Sequence, residues 1–214
     1  MKPDQATATA QTSLCIVRHG ETDWNQQGIL QGWMDVTLNR LGRQQARAMA
    51  ASFDRQGFAA IWSSPLMRAR ETAEIIAPLI RLPFPKFHEG LMERNFGVFQ
   101  GVPKSELAEL NPVELQLILK RNPAGNFAGG ESMDEFADRI IAALIEIGTA
   151  HAGKQVLVIT HGWVMDVITR EVRGLPRRAI LNMKRNNGEQ RWIGVTGGVS
   201  CALPEAPGQC QSDA

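Results

Sequence analysis

Short runs of uninterrupted apolar residues alternate along this chain with longer stretches in which apolar positions recur every three or four residues. The short runs, at residues 14–17, 59–63 and 155–160, read as strands buried on both faces, because neither face shows a polar alternation. The longer stretches read as amphipathic helices. One covers 42–53, where Ala46, Met49, Ala50 and Phe53 share a face, and another runs from Ser64-Pro65, with Ser64 as cap, to about Pro78, which puts Arg68 in its first turn. Ser132 and Glu135 form a capping box ahead of the stripe Met133, Phe136, Ile140, Leu144 and Ile147, which predicts a long helix ending near Gly148.

The remaining segments carry weaker signals. Residues 81–100 read as extended or looped, 105–120 as one or two short helices around Asn111-Pro112, and 163–171 as a helix. Residues 180–203 read as a hairpin turning at Asn186-Asn187-Gly188. Strands alternating with helices predict an α/β fold in three layers, α/β/α, around a mostly parallel central sheet. One domain over 14–204 is expected, with loose tails at 1–13 and 205–214.

Composition narrows the function. Hydrophobic residues make up 43% and charged residues 21%, and the formal charge is +1. No global field exists to hold nucleic acid or an anionic membrane, so an anion has to be captured locally. No apolar run approaches the length of a membrane span or of a signal peptide, and three cysteines without paired spacing point to reduced thiols, so a cytoplasmic location is expected. Lys184-Arg185-Asn186-Asn187, with Arg191 nearby, reads as an ordinary solvated turn.

Two strands end in similar polar words. Leu14-Cys-Ile-Val17 runs into Arg18-His19-Gly20-Glu21-Thr22, and Val156-Leu-Val-Ile159 into Thr160-His161-Gly162. The carboxyl ends of parallel strands form the ligand crevice of an open α/β sheet, so both histidines are expected there, each followed by a glycine that permits close backbone approach. One such histidine is ordinarily structural. Two, one of them preceded by an arginine, point to chemistry. His88 and His151 read as bystanders, and the absence of Asp-x-Asp, His-x-x-x-His and Cys-x-x-Cys spacings gives a metal site no support.

In order along the chain, Arg18-His19-Gly20-Glu21-Thr22 with Asn25, Gly32-Trp33 and Asp35, Ser63-Ser64-Pro65 with Arg68-Ala69 and Thr72-Ala73, Glu93 with Phe96-Gly97, Gly130-Glu131-Ser132 and Thr160-His161-Gly162 resemble the histidine phosphatase superfamily. That superfamily includes the cofactor-dependent phosphoglycerate mutases and many phosphatases. The resemblance implies that His19 is the nucleophile, that Arg18, Arg68 and His161 clamp the phosphate, and that Glu93 is the proton donor. It also implies that Asn25, Gln31, Gly32 and Gly162 contact substrate, with no metal and no cofactor. The chemistry is consistent with each role. A neutral imidazole accepts a phosphoryl group, guanidinium forks match a phosphate dianion, and an alkoxide leaves poorly without a proton.

The expected partner is a small phosphorylated metabolite, with no nucleic acid and no membrane; the sequence leaves monomer or homodimer open. Hydrolysis is favoured over mutase transfer between hydroxyls. Phe96 stands where mutases carry tyrosine, and the stretch from Glu93 to Gly130 lacks the longer mutase insertion. Lys104 follows the mutase spacing, whereas Lys120-Arg121 reads as a solvated helix end.

Overall fold

A computed structural model describes residues 10–53, 56–196 and 199–201, the last three through their backbone. Residues 1–9 of the expected N-terminal tail, the whole expected C-terminal tail 205–214 and the end of the expected hairpin at Leu203 lie outside the described residues. The elements are β1 (Thr12–Arg18), α1 (Asp23–Gln27), α2 (Arg40–Phe53), β2 (Ala60–Ser63), α3 (Met67–Leu79), β3 (Lys86–Phe87), α4 (Lys104–Leu110), α5 (Pro112–Leu119), α6 (Met133–Ala150), β4 (Gln155–Thr160), α7 (Gly162–Val172), β5 (Gln190–Thr196) and β6 (Val199–Cys201).

The six strands lie in the order β3-β2-β4-β1-β5-β6. Neighbours are parallel from β3 through β1, and β5 runs antiparallel to β1 and β6. The continuous apolar runs follow from this arrangement, because helices cover both faces of the parallel half. Leu14 and Ile16 of β1, with Val156 and Val158 of β4, pack beneath α6 and α7. Cys15, Val17, Leu157 and Ile159 point the other way, against α2 and α3. This is the three-layer α/β/α fold expected from the sequence.

Several local expectations shift. β1 begins at Thr12, inside the stretch read as tail, where the Thr12 hydroxyl donates to the Gly148 carbonyl at 2.7 Å. The capping box forms as expected, with Glu135 N donating to Ser132 Oγ at 3.2 Å and Ser132 N to Glu135 Oε2 at 2.9 Å. Ser64 does not cap α3. The helix starts at Met67, whose N–H donates to Asp35 Oδ1 at 2.7 Å, so the cap arrives from a distant loop and Ser64 is left for another task.

The hairpin is displaced. Residues 180–186 form no strand, since Arg185 is drawn into the core by Asp166, at 2.8 Å, and Glu189, at 2.5 Å. Asn186-Asn187-Gly188 does turn, but it leads into β5, and the hairpin is β5 with β6, joined through residues 197–198 outside the described set.

Candidate active site

Three neighbouring parallel strands end at one edge, and the register decides what meets there. Arg18 of β1 lies opposite Thr160 of β4, so the next residues, His19 and His161, leave the sheet side by side. His19 N donates to Thr160 O at 2.9 Å, and the two imidazole centroids are 5.2 Å apart. One strand further, Ser63 lies opposite Ile159, and Ser64 places its Oγ 2.8 Å from His161 Nε2. Beside this edge opens a cleft of about 470 Å³, lined by Arg18, His19, Asn25, Gln31, Gly32, Arg68, Glu93 and Gly162 among others. Of the residues expected in the site, only His161 is absent from the cleft wall; it is fully buried directly beside His19.

The tautomer of His19 follows from its contact. Its Nδ1 lies 2.6 Å from the Gly20 carbonyl, which can only accept, so Nδ1 carries the proton and Nε2 keeps its lone pair. Burial, then the charges of Arg68 and Arg18, hold the His19 pKa well below its ordinary value despite the opposing Gly20 bond. Burial, Arg68 and His19 do the same to His161. Both rings are therefore neutral at neutral pH.

The surrounding donors are tied from behind. Arg68 gives Nη1 to the Met34 carbonyl at 3.0 Å and Nη2 to the Gly32 carbonyl at 2.7 Å. Arg18 gives Nη1 to the Arg185 carbonyl. Ser64 Oγ accepts from Leu66 N at 3.3 Å and lies 2.8 Å from His161 Nε2; with the hydroxyl donating there, the His161 proton sits on Nδ1. Arg18 Nε, Arg68 Nε and His161 Nδ1 are then buried donors with no partner among the described residues. Orphaned buried donors are costly, and an anion beside His19 would satisfy all three. Burial lowers the pKa of Arg18 and of Arg68 to about 10, so both stay charged at neutral pH.

Glu93 is buried in the loop after β3. Its Oε1 accepts from Arg94 N at 3.0 Å and from Trp163 N, in the first turn of α7, at 3.3 Å. The same cleft also carries Lys104, Arg121 and Lys184 and, opposite them in character, Phe96, Ile118 and Leu119. Burial and the charges of Arg121, Arg18 and Lys184 lower the Lys104 pKa. Among the described residues no group of three or more His, Cys, Asp or Glu side chains could hold a metal ion.

Residues 14–201 match the family described as histidine phosphatase superfamily (branch 1). The chain belongs to this superfamily. It is 36% identical over 196 residues to phosphoglycerate mutase-like protein 4 of Arabidopsis thaliana, covering 87% of this chain and 85% of that one. It is also 36% identical over 188 residues to the metal-independent phosphoserine phosphatase of the same plant, covering 85% and 79%. Among solved structures, Bacillus stearothermophilus YhfR superposes with a TM-score of 0.82 at 29% identity, over 91% of this chain and 96% of that one.

In this histidine phosphatase, two cationic segments expected in solvent are drawn to the site. Arg121 is no solvated helix end: it lines the cleft and pairs with the fully buried Asp166 of α7 at 3.0 Å, while Lys120 stays exposed. The 184–187 segment is solvated only in part: Lys184 and Asn186 are exposed, Lys184 at the cleft, but Arg185 is buried and Asn187 Nδ2 donates to the His19 carbonyl at 2.9 Å. Gly20 serves differently from the expectation. A Cβ there would sit 2.5 Å from the Gly42 carbonyl oxygen, so its close approach is to α2. At Gly162 a Cβ would lie 3.2 Å from Arg121 Nη2 and 3.6 Å from Arg18 Nε, among the cations of the site.

Sequence reading missed α1, although Thr22 and Asn25 cap it reciprocally at 3.1 and 3.2 Å; a threonine three residues before an asparagine was the available signal. It also missed Asp166, an acid inside an apolar helix pattern, where a buried charge implies a cationic partner.

Proposed function

We propose that this chain is a phosphatase that hydrolyses small phosphate monoesters without a metal, through a phosphohistidine on His19 and with Glu93 as proton donor. His19 Nε2 attacks phosphorus as the ester P–O bond breaks, and Glu93 delivers its proton to the departing alkoxide oxygen. The Glu93 carboxylate then takes a proton from water, whose oxygen attacks phosphorus as the P–N bond breaks, releasing phosphate and neutral His19. Arg18, Arg68 and His161 hold the phosphate oxygens, and Asn25, Gln31 and the backbone at Gly32 and Gly162 supply further contacts.

The observation that carries the reading is the neutral His19, its Nδ1 tied off, beside Arg18 Nε, Arg68 Nε and His161 Nδ1, all buried and without a partner among the described residues. The cations replace the charge a metal would bring. The relative named as a metal-independent phosphoserine phosphatase supports both the reaction class and its independence of metal. The unpaired buried thiol of Cys15 agrees with a cytoplasmic setting, and a net charge of +1 agrees with a small metabolite rather than a polyanion as partner. No helix among the described residues is long and apolar enough to cross a membrane.

A second reading, transfer between hydroxyls as in a mutase, is favoured by Lys104, Arg121 and Lys184, which could hold a second anionic group. Quenching the enzyme with labelled phosphate esters decides both points. Acid-labile label on wild type that is lost in a folded His19→Ala variant, with inorganic phosphate as product, is expected. An unlabelled wild type across aryl and sugar phosphates overturns the covalent mechanism. Isomerisation that needs a bisphosphorylated primer, without phosphate release, overturns hydrolysis in favour of transfer.

A further inference from the structure

Among the described residues the Glu93 carboxylate hydrogen-bonds only to backbone N–H groups, and its own backbone lies in a loop outside any strand or helix, between short 3-10 turns at Glu89–Leu91 and Gly97–Phe99. A proton donor in such a loop needs an external brace, because displacement by about 1 Å can cost two orders of magnitude in rate. The brace is Arg139 of α6, outside the cleft wall.

All five donors of its guanidinium are engaged. Nη1 donates to the carbonyls of Gly90, at 3.1 Å, and Met92, at 2.9 Å, and Nη2 to that of Glu93 at 2.7 Å. Nε and the second Nη2 hydrogen hold Glu131 in a two-point pair at 2.5 and 2.8 Å. Glu131 then grips the other side of Glu93, its Oε2 accepting from Asn95 N at 2.8 Å. Trp33 Nε1 adds a second donor to the Glu93 carbonyl, also at 2.7 Å. Nothing of this arginine is left to bind a ligand. A lysine could not reproduce it, since an ammonium offers three donors from one point whereas the fork spreads five across a plane.

We infer that Arg139, seconded by the Trp33 indole, is the positioning residue that sets the Glu93 carboxylate for proton transfer, an inference that rests on Glu93 being the proton donor. The role is separable from phosphate binding, which uses Arg18, Arg68 and the histidines. A misplaced acid should hurt substrates in proportion to how much their leaving group needs a proton.

The test compares kcat/KM for 4-nitrophenyl phosphate, whose leaving group departs with little help, with that for glycerol phosphate, whose alkoxide requires protonation. It uses wild type, Arg139→Lys, Trp33→Phe and Glu93→Gln, each with a thermal melt and an inhibition constant for inorganic phosphate. Expected for Arg139→Lys is a loss of about 30- to 100-fold on glycerol phosphate. On nitrophenyl phosphate the loss should stay within about threefold, with phosphate inhibition also within about threefold. Trp33→Phe should show the same pattern more weakly, and it carries the test if Arg139→Lys fails to fold. Equal losses on both esters, or none, in the folded variants while Glu93→Gln shows the selective loss overturn the role of Arg139 alone. If Glu93→Gln itself loses both esters equally, the assignment of the proton donor has failed and the inference falls with it.

Discussion

Mild acid should destabilise this protein through its two active-site histidines. His19 and His161 are buried and held neutral, by burial first, then by Arg68 and Arg18 for His19, and by Arg68 and His19 for His161. In the unfolded chain both return to a pKa of about 6.5. Below that pH the unfolded state binds protons that the folded state refuses, so the free energy of unfolding falls as pH falls, and it goes on falling until the depressed folded values are reached. If both rings stay neutral in the fold, each costs up to about 2 kcal/mol at about pH 5, together about 4 kcal/mol. That is a large part of the ordinary total of about 5–15 kcal/mol. Urea melts between about pH 7.5 and about pH 5 measure the slope, which should approach about 2.7 kcal/mol per pH unit for two histidines, above the range where free Asp and Glu titrate. His19→Gln and His161→Gln should each remove about half of it. His151, whose pKa burial and then Lys86 lower, adds to the slope in the same direction, so the loss in His151→Gln measures its share, which is subtracted before the other two are compared. Saturating inorganic phosphate should flatten the slope, since an anion among the cations permits protonation. A flat wild-type profile, or an undiminished slope in the His19 and His161 variants, would refute the assignment of two neutral buried imidazoles.

Asp166→Ala removes the buried carboxylate shared by Arg121, at 3.0 Å, and Arg185, at 2.8 Å, which strands Arg121 and leaves Arg185 its pair with Glu189. A loss of about 3–5 kcal/mol in chemical denaturation is expected; a variant as stable as wild type would show that the cations find other partners. Gly42→Ala places a Cβ 2.0 Å from the Glu21 carbonyl oxygen. The helix propensity gained, about 1 kcal/mol, opposes a backbone clash of about 1–3 kcal/mol, so a lower Tm is expected together with a lower rate of phosphohistidine formation. A stabilised, fully active variant would show that the Gly20–Gly42 approach is dispensable.

The parts of the site that the sequence made legible are those encoded within a few residues. A strand of buried residues followed by Arg18-His19-Gly20, and another followed by Thr160-His161-Gly162, announce two imidazoles at strand ends, and only the register between β1 and β4 was needed to join them. Ser132 and Glu135 announce a helix start because both halves of the box lie on adjacent turns. What stayed illegible is held together by groups far apart in the chain. Asp35 caps α3 from 32 positions away, so the local signal at Ser64 misleads, and the Ser64 hydroxyl serves His161 instead. Arg185 and Arg121 look like surface cations until Asp166 supplies a buried counter-charge. The Asn186-Asn187-Gly188 turn was visible, but the strand expected before it depended on a backbone that Arg185 commits elsewhere, its carbonyl to Arg18.

The division has a physical cause. Arg18, His19, Arg68 and His161, the groups proposed to hold the phosphate, sit at strand ends and a helix start, which have strong local patterns, so they are the readable ones. The residues that fix those groups in place act through carbonyls and carboxylates drawn from any part of the chain. Arg139 braces three carbonyls near Glu93 across 46 to 49 positions, and Trp33 reaches the same loop across 60. In a periodicity reading Arg139 is one polar position on an amphipathic helix, with nothing to distinguish it from its exposed neighbours until the loop is folded against it. The precision of this site therefore resides in contacts whose partners are distant in sequence, and the variants that remove a brace while sparing the reacting groups are the ones that measure it.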